Sequence, residues 1–211
     1  MNWIAELCDL YDKNQHLAGR MGEDHIVLLP PYHTTVAAQI TVTIDGDGNF
    51  LRAETVPDED KLTIIPVTEK SASRTAGIEP HPLCDNLKYL AADYNQFVKG
   101  KDCSKNHLLY MEHLKEWADS SYCHSKVKAV NQYLEKGTLM KDLNNQGIFI
   151  QDESGKISEK AKIQIVAQTD AFIRFQIDTG EVLPEEALMD DSGSLSEKCW
   201  KDCSLQQKYI E

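Results

Sequence analysis

The chain has 211 residues, 41% hydrophobic and 27% charged, enough for one generous domain with a real hydrophobic core. Its formal net charge of −12 excludes general nucleic-acid affinity through a broadly basic surface. No run of about 18 apolar residues occurs, so no membrane-spanning helix is expected, and MNWIAELCDLYDKNQHL at the start lacks the basic region and apolar block of a secretory signal.

The first segment reads as an amphipathic helix, because Trp3, Ile4, Leu7, Leu10 and Tyr11 recur at three- and four-residue steps. Gly19 and Gly22 end it. In TTVAAQITVTID the period changes to two: Val36, Ala38, Ile40, Val42 and Ile44 point one way and Thr35, Gln39, Thr41 and Thr43 the other, as in a half-buried strand. The turn Asp45–Gly48 then predicts NFLRAETV as a hairpin partner. KLTIIPV is a third strand, closed by Pro66.

Helical periodicity returns with Leu87, Leu90, Ala91, Tyr94 and Phe97, with Asp85 or Asn86 as N-cap. Ser104 caps a second helix carrying Leu108, Met111, Leu114 and Ala118, and a third carries Val127, Val130 and Leu134 up to Gly137. From Gly147 the pattern reverts to strands: IFI, the turn DESGK, KIQIVAQ and AFIRFQID. An acidic stretch and a short helical end follow. The expected fold class is α+β: an N-terminal helix, an antiparallel sheet, a helical middle segment and returning strands. Residues 1–211 are expected to form one compact domain, the front part of a longer chain, with 178–203 an acidic, mobile end.

Charge is uneven along this plan. Residues 61–128 carry ten Lys/Arg against eight Asp/Glu, whereas Asp178 to Asp191 holds six carboxylates and no base. Any nucleic-acid contact therefore belongs to the middle third, and the acidic run reads as a solvated or partner-facing stretch.

The sequence contains no phosphate-binding GxxxxGK[ST], no G-x-G-x-x-G after a strand, no G-x-S-x-G and no H-E-x-x-H. DGDGN resembles a calcium loop but lacks its spacing and terminal glutamate, and so reads as a hairpin turn. With no export signal, the six cysteines read as reduced thiols. Cys103, His107, His113, Cys123 and His124 cluster in the helical third, which leaves a zinc site open, although no CxxC anchors it. Cys199 and Cys203 are four apart without a nearby histidine. Cys84 precedes a helix start, where a thiol pKa can be lowered, so a cysteine nucleophile is the other enzymatic alternative. A third alternative is an acidic protein-interaction module.

The most particular stretch is RTAGIEPHPLCDN, Arg74 to Asn86, a strand-to-helix connection stiffened by Pro80 and Pro82, with Gly77 free to take a positive φ. Its polar groups and those at its base, Lys70, Ser71, Ser73, Arg74, Thr75, His81, Asn86 and Lys88, include types that bind phosphate near helix N-termini or hydrogen-bond base edges. The structural alternative is a capped turn in which Arg74 pairs with a carboxylate such as Asp85.

RTAGIEPHPLCDNLKYL resembles the hallmark of the large subunit of type I-C CRISPR surveillance complexes (Cascade). In that Csd-type family, Arg-Thr-Ser/Ala-Gly-Ile runs into Pro-x-x-Leu-Cys-Asp-Asn and then a tyrosine. Arg74, Thr75, Ala76, Gly77, Ile78, Pro80, Leu83, Cys84, Asp85, Asn86 and Tyr89 fit this pattern. The order around it is similar too: an opening helix with LYD, a strand ending in IDGDGNF, then helices, the AFIRFQI strand and a CW…KY ending.

The resemblance implies a non-catalytic subunit of an RNA-guided antiviral complex. Such a subunit recognises the protospacer-adjacent motif in target double-stranded DNA, aids duplex opening and recruits a helicase-nuclease. Its implied partners are the guide RNA complex with other CRISPR-associated subunits, the target duplex and the helicase-nuclease, with no membrane, no metal and no cofactor, in the cytoplasm. The implied DNA-binding residues are Lys70, Ser73, Arg74, Thr75, His81, Asn86 and Lys88, with Arg74 and Lys88 on phosphate. His81 stands where many members carry asparagine, and Pro82 replaces the more usual aromatic.

Overall fold

The computed structural model describes residues 3–19, 28–75, 77–100, 102–180 and 197–211. Gly22 and residues 181–196, most of the acidic run, lie outside the described residues.

A three-stranded sheet forms the centre. Strand β2 (Ile40–Asp45) pairs antiparallel with β3 (Phe50–Thr55) and parallel with β7 (Ile173–Asp178), in the order β3-β2-β7. A separate antiparallel pair joins β1 (His33–Ala37) to β4 (Leu62–Pro66). The architecture is the expected mix of helix and sheet. The β2–β3 hairpin forms where the Asp45–Gly48 turn predicts it, with Ile40 opposite Thr55 and Ile44 opposite Phe50.

The long alternating run is not one strand. It breaks at Gln39, whose side chain is buried and donates through Nε2 to the Ala37 carbonyl at 2.9 Å and accepts from the Phe172 N–H at 2.8 Å. Those bonds turn the chain from one sheet into the other. Nor is β2 half-buried. Thr41 and Thr43 are as buried as Val42, because Arg174 and the turn Cys199–Lys201 cover the threonine face. Arg174 Nε donates to Thr41 Oγ1 at 2.9 Å and its guanidinium lies 3.8 Å from the Trp200 ring centroid. Burial lowers the Arg174 pKa to about 10.

The expected helix over Leu87–Phe97 is split into α3 (Leu87–Leu90) and α4 (Tyr94–Phe97). Between them the Asp93 carboxylate accepts the N–H groups of Met140 and Lys141 at 3.1 and 3.0 Å, satisfying the start of α7 (Leu139–Asn145). Helices α5 (Ser104–Asp119) and α6 (Ser125–Glu135) lie close to prediction. Asp102 rather than Ser104 supplies the α5 cap, accepting from the Ser104 N–H at 2.9 Å, and Leu108 is exposed. The returning segment differs more. IFI forms no strand, and KIQIVAQ folds back on itself as β5 (Lys162–Ile163) and β6 (Val166–Ala167) around Gln164, at φ 56°.

The main core lies between the sheet and α3, α5 and α6, with Leu87, Leu90, Tyr110, Val127, Val130 and Phe175 buried. The first helix and the short helix before the motif loop sit outside it, while the last helix adds Leu205 to the core. Helix α1 (Trp3–Asn14) buries none of its residues; α2 (Glu69–Ala72) precedes the motif loop, and α8 (Cys203–Ile210) follows Trp200.

Candidate nucleic-acid interface

The Arg74–Asn86 loop leaves α2 and returns to α3 beside the start of β7. Its base is capped reciprocally at the N-terminus of α2: Thr68 Oγ1 accepts from the Ser71 N–H at 3.0 Å, and Ser71 Oγ accepts from the Thr68 N–H at 2.9 Å. Gly77 takes φ 89°, the conformation that its lack of Cβ permits. At the far end, Ile173 N–H donates to the Asp85 carbonyl at 3.0 Å and Leu87 N–H to the Ala171 carbonyl at 3.1 Å. The loop is thereby tied to the central sheet.

Asp85 is the hub. It is fully buried, and its carboxylate accepts four hydrogen bonds: two from Arg74 at 2.8 and 3.0 Å, one from the His81 N–H and one from the Asn86 N–H, both at 2.7 Å. Arg74 also donates to the Glu79 carbonyl at 2.9 Å, and its guanidinium lies 4.8 Å from the Tyr89 ring centroid. Burial alone lowers the Arg74 pKa; the bonds to Asp85 override it and hold the guanidinium above its ordinary value. The two-pronged pair is the strongest geometry available to these side chains.

A second constraint sits at Leu83. It has φ 64°, unusual for a residue with a side chain, and Cys84 N–H donates to the Pro82 carbonyl at 2.7 Å across it. Tyr110 on α5 holds this turn by donating its hydroxyl to the Leu83 carbonyl at 2.8 Å. Backbone strain of this kind costs roughly 1–3 kcal/mol and persists only where the surroundings over-determine it.

The expected DNA-binding residues fall into three groups. Lys70, Ser73 and Thr75 are exposed, Ser73 with its hydroxyl donated to the Glu69 and Lys70 carbonyls at 3.2 and 3.3 Å. His81, Asn86 and Lys88 are half-buried. Asn86 occupies the N-cap position of α3 without a side-chain capping bond. His81 Nδ1 is buried without a hydrogen-bond partner, and burial lowers the His81 pKa. Arg74 stands apart, enclosed by Asp85, which is the capped-turn arrangement weighed as the alternative. Tyr110 lies outside the α5 stripe that periodicity picks out, and Leu83 belongs to the motif but carries no sequence signal for its strained turn.

Cys84 is buried and burial pushes its thiol up to about 12, the opposite of what a nucleophilic thiolate requires. No disulfide joins the six cysteines, all of which lie among the described residues. The Cys/His cluster is dispersed: His107 Nδ1 bonds the Tyr89 carbonyl at 3.0 Å, His124 Nε2 lies 3.1 Å from Ser204 Oγ, and Cys123 Sγ donates to the His124 carbonyl. Among the described residues no three His, Cys, Asp or Glu side chains come together as a metal site, and no helix is long and apolar enough to cross a membrane.

A family model described as CRISPR-associated protein (Cas_Csd1) matches residues 7–207. No curated protein matches the chain.

Proposed function

The chain belongs to the Cas_Csd1 family of CRISPR-associated proteins, and from that premise we propose that it is the non-catalytic large subunit of a type I-C surveillance complex, reading the protospacer-adjacent motif in duplex DNA. In this reading it works in the cytoplasm with the guide RNA and other CRISPR-associated subunits, helps open the duplex and recruits the helicase-nuclease. Protein reads the short motif and guide pairing reads the rest. A negatively charged subunit suits that division, because most of the affinity comes from pairing and from basic neighbours.

The observation that carries the reading is the over-determined loop. Asp85 fixes Arg74, His81 and Asn86 in one cluster, and Tyr110 fixes Leu83 in a strained turn. Rigid presentation is what direct readout demands, since each base contact is worth only about 1–3 kcal/mol. Within this reading Arg74 is a positioning residue, its charge already committed to Asp85. Lys70 and Lys88 contact phosphate, and His81 reaches a base edge. Ser73, Thr75 and Asn86 are secondary polar contacts.

The test uses the assembled guide-RNA complex and duplexes with and without a permissive flanking motif. His81→Ala is expected to reduce motif preference about 5- to 100-fold, the size of one base contact. Lys70→Ala and Lys88→Ala are expected to weaken binding to both duplexes alike and to lower the salt slope by about 1 each. Motif preference that survives both His81→Ala and Asn86→Ala in an intact complex would sink the sensing role of this loop.

A further inference from the structure

A cleft of about 310 Å³ lies beside the motif loop, with His81 in its lining. Trp117 on α5 and Tyr209 on α8 form a wall, their rings packed edge to face with centroids 5.0 Å apart. Buried Tyr110 contributes to the floor, while His113 and Glu116 are exposed and stand at the rim. This volume is at the small end of ligand pockets, the size for one flat ring system rather than a folded peptide segment.

The chemistry of the lining narrows the guest. Aromatic faces take any flat ring, nucleobases included. Glu116 supplies an acceptor, the complement of an exocyclic amino group such as cytosine N4. The same carboxylate repels phosphate, so a base and not its backbone is the part that enters. His81, half-buried, adds an imidazole ring to the same lining.

We propose that this cleft receives a single cytosine extruded from the duplex as it opens beside the flanking motif. The proposal rests on the DNA-sensing reading above. It gives His81 two neighbours at once, the motif on the loop side and the extruded base on the cleft side. Capturing one unstacked base offsets the cost of unstacking it, and so favours opening at one defined position.

The test is photocrosslinking in the assembled guide-RNA complex. Duplexes carry 5-iodocytosine at successive positions in and beside the motif, and mass spectrometry identifies the attached peptide. One position is expected to attach to Trp117 or Tyr209 at least fivefold more than its neighbours. Replacing the probe there with 5-iodouracil, which lacks the amino group, should cut the yield severalfold, as should Glu116→Ala, which removes the acceptor, while motif-dependent binding persists. If that binding is intact but no position attaches to the cleft, the base pocket is wrong and the sensing role stands. Equal yields with 5-iodouracil or with Glu116→Ala overturn the assignment of cytosine. If Trp117→Ala releases another subunit and wild type gives no crosslink, the cleft is a protein-docking site. Should the assembled wild-type complex show no motif preference, both readings fall together.

Discussion

Asp85 shows how much one buried side chain can carry. Removing it leaves a guanidinium and two backbone N–H groups without their acceptor, and breaking a buried pair from one side typically costs about 3–5 kcal/mol. Asp85→Ala is therefore expected to lower stability by about that amount in chemical denaturation. Arg74→Lys should cost less but still measurably, because a lysine cannot reproduce the two parallel bonds. Thiol reactivity gives a second check at this scale. Cys84 and Cys199 are buried, with the Cys84 thiol pushed up to about 12 and that of Cys199 also raised by burial, whereas Cys8 is exposed. A thiol reagent at pH 8 is expected to modify Cys8 rapidly and to reach Cys84 and Cys199 only on unfolding; fast labelling of Cys84 in the folded protein would contradict its burial.

At the scale of elements, the hairpin turn and α6 act as one piece. Gly48 has φ 72°, and a Cβ there would lie 2.7 Å from the Ala129 carbonyl oxygen and 2.8 Å from the Tyr133 nitrogen. Lys136 clamps the same turn, donating to the Gly48 carbonyl at 2.6 Å and to Asn49 Oδ1 at 2.8 Å. Gly48→Ala is expected to cost at least about 1–3 kcal/mol, from the φ penalty alone, and to lower the thermal midpoint; an unchanged midpoint would mean that the turn and α6 do not meet. Local chemistry of this kind was legible in advance. DGDG announces its turn, and Leu87, Val127 and Val130 announce their helical faces. What could not be read was which polar residues the tertiary fold recruits. Gln39 looked like an outward position in an alternating strand, yet its bonds to Ala37 and Phe172 break that strand. Asp93 falls inside the expected single helix Leu87–Phe97, yet it divides that helix to cap another. In the site, RTAGIEPHPLCDN marked the loop and Asp85 was already named as Arg74's structural partner. The cleft behind the loop was invisible, because Trp117 and Tyr209 meet only through the packing of α5 and α8.

Across the whole molecule, histidine burial couples stability to acid. His33, His81, His107 and His124 all have pKa values lowered from the ordinary 6.5, chiefly by burial. The unfolded chain therefore binds more protons than the folded one as pH falls through this range. Their contribution is fully present above pH 6.5 and is lost as pH falls through the folded values. The denaturation midpoint is expected to hold steady between pH 7 and 8 and to drop below about pH 6.5. His107→Gln should flatten part of that drop; a midpoint that rises on acidification would show that relief of the acidic charge outweighs the histidines.

The parallel pairing of β2 with β7 sets a timetable for synthesis. Ile40 finds Ile173 across 133 intervening steps of chain, and Asp45 finds Asp178 across the same distance. At the roughly 5–20 residues per second of translation, β2 leaves the ribosome on the order of ten seconds before its inner neighbour exists. Until then the hairpin carries an open edge of buried-type residues, a template for wrong partners. Nascent chains of this protein should accordingly need shielding during that interval, and a ribosome stalled between β6 and β7 should hold a chain that is protease-sensitive at β2 and becomes resistant once Asp178 has emerged.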